Sequence, residues 1–393
     1  MRTGNLIGLF GIAAAFLGGV AGCDSGPGQS LYDPDRESGA DPVISNVEPA
    51  GSAFAGVDVV TVAGQNFSTT LENNLVFFGK ARGEVLEASA SALLVLPPNE
   101  PAENAEIKIA VIGAENFSNS IPYKLEAAVE SFGDIAAFEE PFGMTTDADG
   151  NLVVSIFSDG RSIGIIEFAP DGSRRTWVQT TFKWDGLAFG TDGMLYAVRG
   201  LRAAFRFAEG GAQEAFAIIE DQSVKLSTIT LDASGDFWTG GDNENLYRIA
   251  ADGSITEFPF EADVTDLAVA DGVLYATATK NDVSSLWRFP IDANGGIGSG
   301  EQVANITAQF DAEALSIAVA ASGEILVGTD ADDPIVLVQP DGSAEALYPG
   351  ILQTPAFDLA WGLAPFLYMN KAKTRDANPN LFRINTRREG AVN

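Results

Sequence analysis

The chain has 393 residues, with 23 Lys and Arg against 54 Asp and Glu, a formal net charge of −31 and no histidine. This charge repels phosphate backbones and anionic headgroups, so nucleic acid is not an expected partner. The lack of histidine excludes Ser-His-Asp and Cys-His nucleophile systems and imidazole-bound zinc. Hydrophobic residues are 46% of the chain, but 42 glycines and 18 prolines divide them into short runs, which predicts an all-β protein.

The N-terminal segment carries the features of an export signal. Arg2 precedes an apolar run over residues 6–20 that suits a signal peptide better than a membrane span. The tetrapeptide Val-Ala-Gly-Cys at 20–23 resembles a bacterial lipobox, which implies cleavage after Gly22 and lipidation of Cys23, the one cysteine of the chain. We therefore expect a signal peptide over residues 1–22 and a membrane partner reached through the lipid. An ordinary signal or an uncleaved anchor with a chance cysteine is the alternative.

Residues 23–41 are rich in Gly, Ser, Pro and Asp, which predicts a flexible tether between the lipid and the folded part of the chain. Such a tether would hold the protein away from a membrane of the cell envelope, on its extracytoplasmic side, in a leaflet that the sequence does not specify.

Residues 42–126 predict a small β-sandwich, because seven short apolar segments alternate with Gly, Pro and Asn turns. The motifs Pro-Val-Ile-Ser-Asn-Val-Glu-Pro at 42–49, Val-Thr-Val-Ala-Gly-Gln-Asn-Phe at 60–67 and Val-Phe-Phe-Gly at 76–79 resemble the IPT/TIG immunoglobulin-like domain. The resemblance implies a spacer or a binding module without catalytic residues. We interpret this domain as a spacer.

Residues 127–393 predict a six-bladed β-propeller. Turn glycines at positions 150, 193, 235, 272 and 323 recur at the repeat length of a four-stranded blade, and six similar third strands follow them. We expect residues 129–132 to supply the last strand of the sixth blade and so close the ring. The first repeat resembles the NHL repeat, and six-bladed lactonases share its rhythm. Asp147 to Asn151 reads as a turn, with the start of a calcium loop as the alternative.

The strand order separates the propeller into two faces. Short, uniform Asp-Gly turns lie on one face, which we call the turn face, and irregular connections lie on the other, which we call the loop face. Variable loops on a rigid scaffold are where function is usually placed, so the ligand is expected at the loop face.

Carboxylates at the heads of the innermost strands are candidate metal ligands. Asp185, Asp266 and Asp358 are expected near the channel axis, where their oxygens could hold Ca²⁺ or instead cap backbone amides. The weak similarity of residues 139–142 to the start of gluconolactonase-type propellers implies a metal-ligand role for Glu139. No Pro-Asn-Gly segment supplies the asparagine ligand of that family. A calcium-dependent lactonase or esterase is therefore the alternative function, and a structural role in envelope assembly is a third.

Aromatic and basic residues form the candidate binding surface. Trp184 could stack on a sugar ring or peptide, or could instead plug the channel, with further contacts from Phe142, Phe357, Arg199 and Arg202. Lys371, Lys373 and Arg375 are a basic cluster that would either contact an anion or form a solvated loop. The sequence thus favours a non-catalytic envelope protein without a required cofactor, which binds a glycan or an envelope protein.

Overall fold

The computed structural model describes residues 38–158, 160–373 and 378–391. The expected signal peptide, the lipidation site Cys23, most of the tether and Arg375 lie outside these ranges and stay predictions. Over the described ranges, no helix has the length and apolarity needed to cross a membrane.

The N-terminal domain is a sandwich of two sheets, as the sequence predicts. One sheet has the strand order β1-β3-β7-β6 and the other β2-β9-β8-β4-β5. Apolar side chains that alternate along the strands, such as Val60, Val62, Ile107 and Ile109, fill the space between the sheets and are fully buried. The strands are β1 (Val43–Glu48), β2 (Ser52–Phe54), β3 (Val60–Gln65), β4 (Asn74–Phe78), β5 (Ala81–Arg82), β6 (Glu84–Ala88), β7 (Ala92–Leu96), β8 (Ala102–Val111) and β9 (Ile121–Glu126), with one 3₁₀ turn at Leu71–Asn73.

The rest of the described chain forms six four-stranded antiparallel sheets, which confirms the propeller. The second strand of a blade is largely buried where apolar residues face the neighbouring blades on both sides; in blade 5 every residue of this strand, Ile325–Thr329, is buried. Blades 1 to 3 contain β11 (Glu139–Thr146), β12 (Leu152–Ser158), β13 (Arg161–Phe168), β14 (Arg174–Val178), β15 (Gly186–Phe189), β16 (Leu195–Val198), β17 (Ala203–Phe207), β18 (Glu214–Ile218), β19 (Lys225–Leu231), β20 (Phe237–Asp242), β21 (Asn245–Ile249) and β22 (Ile255–Pro259).

Blades 4 and 5 follow the same pattern, and a short helix α1 (Ile306–Phe310) lies between them. Their strands are β23 (Asp263–Ala270), β24 (Val273–Lys280), β25 (Val283–Pro290), β26 (Glu301–Asn305), β27 (Ala314–Val319), β28 (Ile325–Thr329), β29 (Ile335–Val338) and β30 (Ala344–Ala346).

The sixth blade is assembled from both ends of the propeller sequence. Its strands β31 (Asp358–Trp361), β32 (Phe366–Lys371) and β33 (Asn380–Asn385) are joined by β10 (Val129–Phe132), which pairs antiparallel with β33. The predicted closure of the ring is therefore confirmed. An ion pair of 2.6 Å between Arg383 and Glu130 joins the same two strands at the surface.

The sandwich packs against the last blades of the propeller. Arg387 donates two hydrogen bonds to the carboxylate of Asp58, at 2.9 and 2.6 Å, and its guanidinium lies 3.9 Å from the ring centroid of Phe54. Phe54 in turn makes an edge contact with Tyr348 at 6.1 Å. A bidentate pair stacked on an aromatic ring fixes orientation as well as distance.

Candidate functional site

One position on the innermost strand of every blade corresponds in strand register from blade to blade. In blades 2, 3, 4, 5 and 6 this position pairs with an equivalent residue of the second strand, and in blade 1 it lies within the bulge of β11. We call these residues the channel ring: Gly143, Gly186, Thr228, Asp266, Ser316 and Asp358. Gly186, Thr228, Asp266 and Asp358 line a central cavity of about 710 Å³.

The two glycines of the channel ring are required by close packing of neighbouring blades. A Cβ atom at Gly143 would lie 2.5 Å from the carbonyl oxygen of Asp185, and one at Gly186 would lie 2.8 Å from the Cα atom of Thr228. Blades 1 and 2 therefore contribute no side chain to the channel ring itself.

Asp266 connects three consecutive blades. Its Oδ1 accepts hydrogen bonds from the hydroxyl of Thr228 at 2.6 Å and from the backbone N–H of Leu267 at 2.8 Å. Its Oδ2 accepts one from the N–H of Ile317, in the next blade, at 2.9 Å. Both carboxylate oxygens are thus engaged in holding strands together.

Asp358 connects strands in the same way where blade 6 meets blade 1. It accepts hydrogen bonds from the N–H of Met144 in blade 1 at 2.7 Å and from the N–H of Leu359 at 2.8 Å. Ser316 continues the pattern by donating to the carbonyl oxygen of Ala356 at 3.1 Å. These contacts favour the second of the two sequence-based alternatives, in which the carboxylates cap backbone amides.

The channel holds its two acids in an environment that disfavours negative charge. Each carboxyl group keeps some surface toward the cavity, but protein surrounds it on the other sides. Burial raises the pKa of Asp266 to about 6, although its hydrogen-bond donors oppose the shift. Burial, followed by repulsion from Asp266, raises the pKa of Asp358 well above its usual range. Two acids coupled in this way ionise as a pair.

The proposed calcium ligands do not form one donor set. Glu139 lies four residues before the ring position and accepts two hydrogen bonds from Arg174, at 2.8 and 2.9 Å. Asp185 is paired with Lys183 at 2.7 Å. Over the residues that the structure describes, no group of three or more His, Cys, Asp or Glu could hold a metal ion. The residues present therefore do not fit the calcium site that the sequence suggested.

The side chain of Trp184 is not the exposed stacking surface that was one of the two roles suggested by the sequence. It is fully buried, with edge contacts to Phe205 at 5.4 Å and Phe207 at 5.1 Å. Its indole N–H donates to Thr180 Oγ1 at 3.1 Å, and its backbone N–H donates to Ser155 Oγ at 3.0 Å. Trp184 is therefore an internal anchor of the segment that precedes β15, and it has no surface to offer a ligand.

The residues beside this anchor form a surface group that we call the loop-face cluster: Phe182, Lys183, Asp185 and Arg199. The guanidinium of Arg199 lies 3.7 Å from the ring centroid of Phe182 and 5.3 Å from that of Trp184. Lys183 Nζ lies 4.4 Å from the ring centroid of Phe142. The loop-face cluster thus presents two cations and an exposed aromatic ring, in a chain whose overall charge is strongly negative.

Arg199 differs from the other basic residues of this face because it lacks a polar partner. It makes no hydrogen bond or ion pair with any described residue, and its Nε is buried without a partner in that part of the chain. Burial against the rings lowers the pKa of Arg199, and the negative charge of Asp185 opposes this change. An anion bound here would compensate a partly desolvated, unpaired charge.

The other predicted basic residues already have partners. Arg202 donates to the carbonyl oxygens of Ile219 and Glu220 at 2.6 and 2.9 Å, and so caps the adjacent loop. Lys371 is only 5% exposed and donates to Gln353 Oε1 at 2.9 Å, which differs from the exposed anion contact suggested by the sequence.

Lys373 is paired at 3.3 Å with Glu140. The predicted Lys371, Lys373 and Arg375 cluster is therefore not a free basic patch over its described members.

The aromatic candidates Phe142 and Phe357 do lie together. Their ring centroids are 6.3 Å apart, and Phe142 makes a second edge contact with Phe157 at the same distance. Phe357 also lines the central cavity. Sequence reasoning missed Phe182, because an isolated aromatic residue in an irregular connection has no periodic pattern that marks it.

Comparisons with known proteins agree with the two-domain architecture. Residues 42–126 match the IPT/TIG domain model. No curated protein matches the chain. An auxiliary nutrient binding protein from Bacteroides ovatus is a structural neighbour with 12% identity and a TM-score of 0.51, over 88% of this chain and 98% of that one.

Two enzyme-like or calcium-binding propellers are similar to the C-terminal part. A gluconolactonase from Xanthomonas campestris has 17% identity and a TM-score of 0.52, over 65% of this chain and 88% of its own. A calcium-binding regucalcin from Agrobacterium tumefaciens has 17% identity and a TM-score of 0.52, over 66% and 92%. At these identities the likeness establishes the fold: an IPT/TIG domain followed by a β-propeller.

Proposed function

We propose that the chain is a non-catalytic binding protein of the bacterial cell envelope, anchored through lipidated Cys23 and carrying its ligand at the loop face of the propeller. The observation that carries the proposal is the guanidinium of Arg199, which has no polar partner among the described residues and is held on aromatic rings at a surface where the neighbouring Lys183 is already paired with Asp185. The ligand is a glycan or an envelope protein. The lipobox-like tetrapeptide at 20–23 supports the location.

The channel ring supports binding over catalysis. A metal-dependent lactonase needs carboxylate oxygens free to ligate the ion, but both oxygens of each acid in the ring already accept hydrogen bonds, from neighbouring blades or from the next residue of the same strand. The absence of histidine leaves no imidazole to act as a general base. The nutrient-binding neighbour from Bacteroides ovatus, which covers both domains, agrees with a binding role.

A glycan array probed with the mature full-length protein tests this proposal. We expect retention of a specific set of glycans, no change on addition of EDTA, and binding at least about tenfold weaker in Arg199→Ala, which corresponds to about 1.4 kcal/mol. Arg206→Ala is the matched control, because Arg206 lies on β17 of the same blade and is exposed and paired with Glu214 at 3.1 Å.

Two results would contradict the proposal. One is saturable hydrolysis of a lactone or ester that EDTA abolishes. The other is glycan binding that Arg206→Ala weakens as much as Arg199→Ala does, since this would place the ligand away from the loop-face cluster.

A further inference from the structure

The chemistry of the loop-face cluster narrows the class of ligand. A guanidinium presents a planar fork of N–H donors that matches the two oxygens of a carboxylate. In Arg199 this fork has no acceptor among the described residues, and the ring of Phe182, 3.7 Å from the guanidinium, holds it in place. The donor group is therefore preorganised, which lowers the entropy cost of binding.

The charges around Arg199 indicate which net charge a ligand should carry. Lys183 is neutralised by Asp185 at 2.7 Å, so Arg199 remains as one uncompensated positive charge. The chain as a whole carries a net charge of −31, which repels polyanions at long range. One carboxylate of a ligand matches one guanidinium, whereas the closely spaced charges of a phosphate dianion or a polysulfated chain would exceed the local positive charge.

The exposed rings indicate what accompanies the carboxylate. Phe182 is 38% exposed beside the guanidinium, and the partly exposed Phe142 lies beneath Lys183. Flat aromatic surfaces next to a polar group suit the alternation of apolar C–H faces and hydroxyls on a sugar ring.

We propose that the loop-face cluster binds an acidic sugar, with Arg199 donating to the carboxylate of a uronic acid and Phe182 packing against its ring. This inference rests on the proposed function and specifies its ligand. Arg199 provides the charge recognition and Phe182 the apolar contact, and the buried ring of Trp184, 5.3 Å from the guanidinium, supports Arg199 from below.

Titration calorimetry with matched probes tests the inference: trigalacturonate, its fully methyl-esterified form and triglutamate, each against wild type, Arg199→Ala, Arg199→Lys and Arg206→Ala. We expect trigalacturonate to bind at least about tenfold more tightly than its methyl ester, because a hydrogen bond to a charged group is stronger than one to a neutral group. Arg199→Ala should lose this preference, Arg199→Lys should keep part of it, and Arg206→Ala should keep all of it.

The remaining outcomes separate this inference from the proposed function. Equal binding of trigalacturonate and its ester, indifferent to Arg199→Ala, overturns the acidic-sugar assignment and leaves a glycan-binding protein. Tighter binding of triglutamate through Arg199 replaces the sugar with an acidic peptide. Binding of none of the three probes by the folded wild type overturns the inference outright, whereas the glycan array decides the proposed function separately.

Discussion

The channel ring and the loop-face cluster use polar side chains in opposite ways. In the ring, Asp266 and Asp358 lie beside the central cavity, yet every one of their oxygens accepts a hydrogen bond, either from a neighbouring blade or from the next residue of the same strand. In the cluster, Arg199 lies in an irregular connection and has no polar partner among the described residues. A charged group near the axis of a propeller is thus no evidence of chemistry until its hydrogen-bond partners have been identified.

Buried residues and residues of the binding surface lie next to each other in the short segment before β15. Among the variants, Trp184→Ala in this segment has the largest expected effect on stability. Removing an indole packed between Phe205 and Phe207 should lower the free energy of unfolding of the propeller by about 3–5 kcal/mol. Phe182→Ala is the matched control, because that ring is 38% exposed and should cost less than about 1 kcal/mol. Denaturant unfolding followed by circular dichroism compares them. If Trp184→Ala and Phe182→Ala lost equally little stability, Trp184 would instead have the ligand-contacting role that the sequence suggested.

The channel acids predict that the propeller loses stability as the pH rises. The pKa of Asp266 is raised from 3.8 to about 6, so between these values the folded state binds more protons than the unfolded state. This contribution is complete below about pH 4 and is lost as the pH rises through 6. Between pH 5 and 8 the free energy of unfolding should fall by about 1.4 kcal/mol from Asp266, and Asp358 adds in the same direction.

Two controls isolate this effect. The pKa of Glu324 is lowered to about 2 by Arg388, and the stability it contributes is lost only as the pH falls below about 4.5, outside the measured range. Measurements in 0.3 M salt screen the general repulsion of a chain with a net charge of −31. Asp266→Asn should flatten the pH dependence. An unchanged slope in Asp266→Asn would show that the ring does not control it.

Most of the fold could be predicted from the sequence because steric constraints on the turns produce a repeating pattern of glycines. The turn glycines Gly150 and Gly193 adopt φ values of +80° and +76°, which side chains with a Cβ rarely adopt, so glycine recurs wherever the turn recurs. Closure by β10 could be predicted because the last blade lacked a strand. The short strands β2 and β5 of the sandwich were missed, since three and two residues carry too little pattern.

The site was less predictable because the hydrogen-bond partners and the burial of a side chain depend on the tertiary structure. Strand alignment placed Asp266 and Asp358 at the channel correctly, but could not show which amides they accept. The partner of Glu139 is Arg174, 35 residues away on another strand of the same blade, and sequence spacing does not indicate that contact. The sequence left open whether Trp184 stacks on a ligand at the channel rim or plugs the channel, whereas its ring packs inside the fold against Phe205 and Phe207.

Arg199→Ala is the variant with the smallest expected effect on stability, and it provides the most direct test. Stability and binding are measured together on Arg199→Ala and Asp266→Asn. The account predicts that Arg199→Ala changes the free energy of unfolding by less than about 0.5 kcal/mol while binding of trigalacturonate weakens at least about tenfold. Asp266→Asn should alter stability and its pH dependence but leave binding unchanged. Loss of ligand binding in Asp266→Asn with full binding in Arg199→Ala would place the function in the channel and contradict the account.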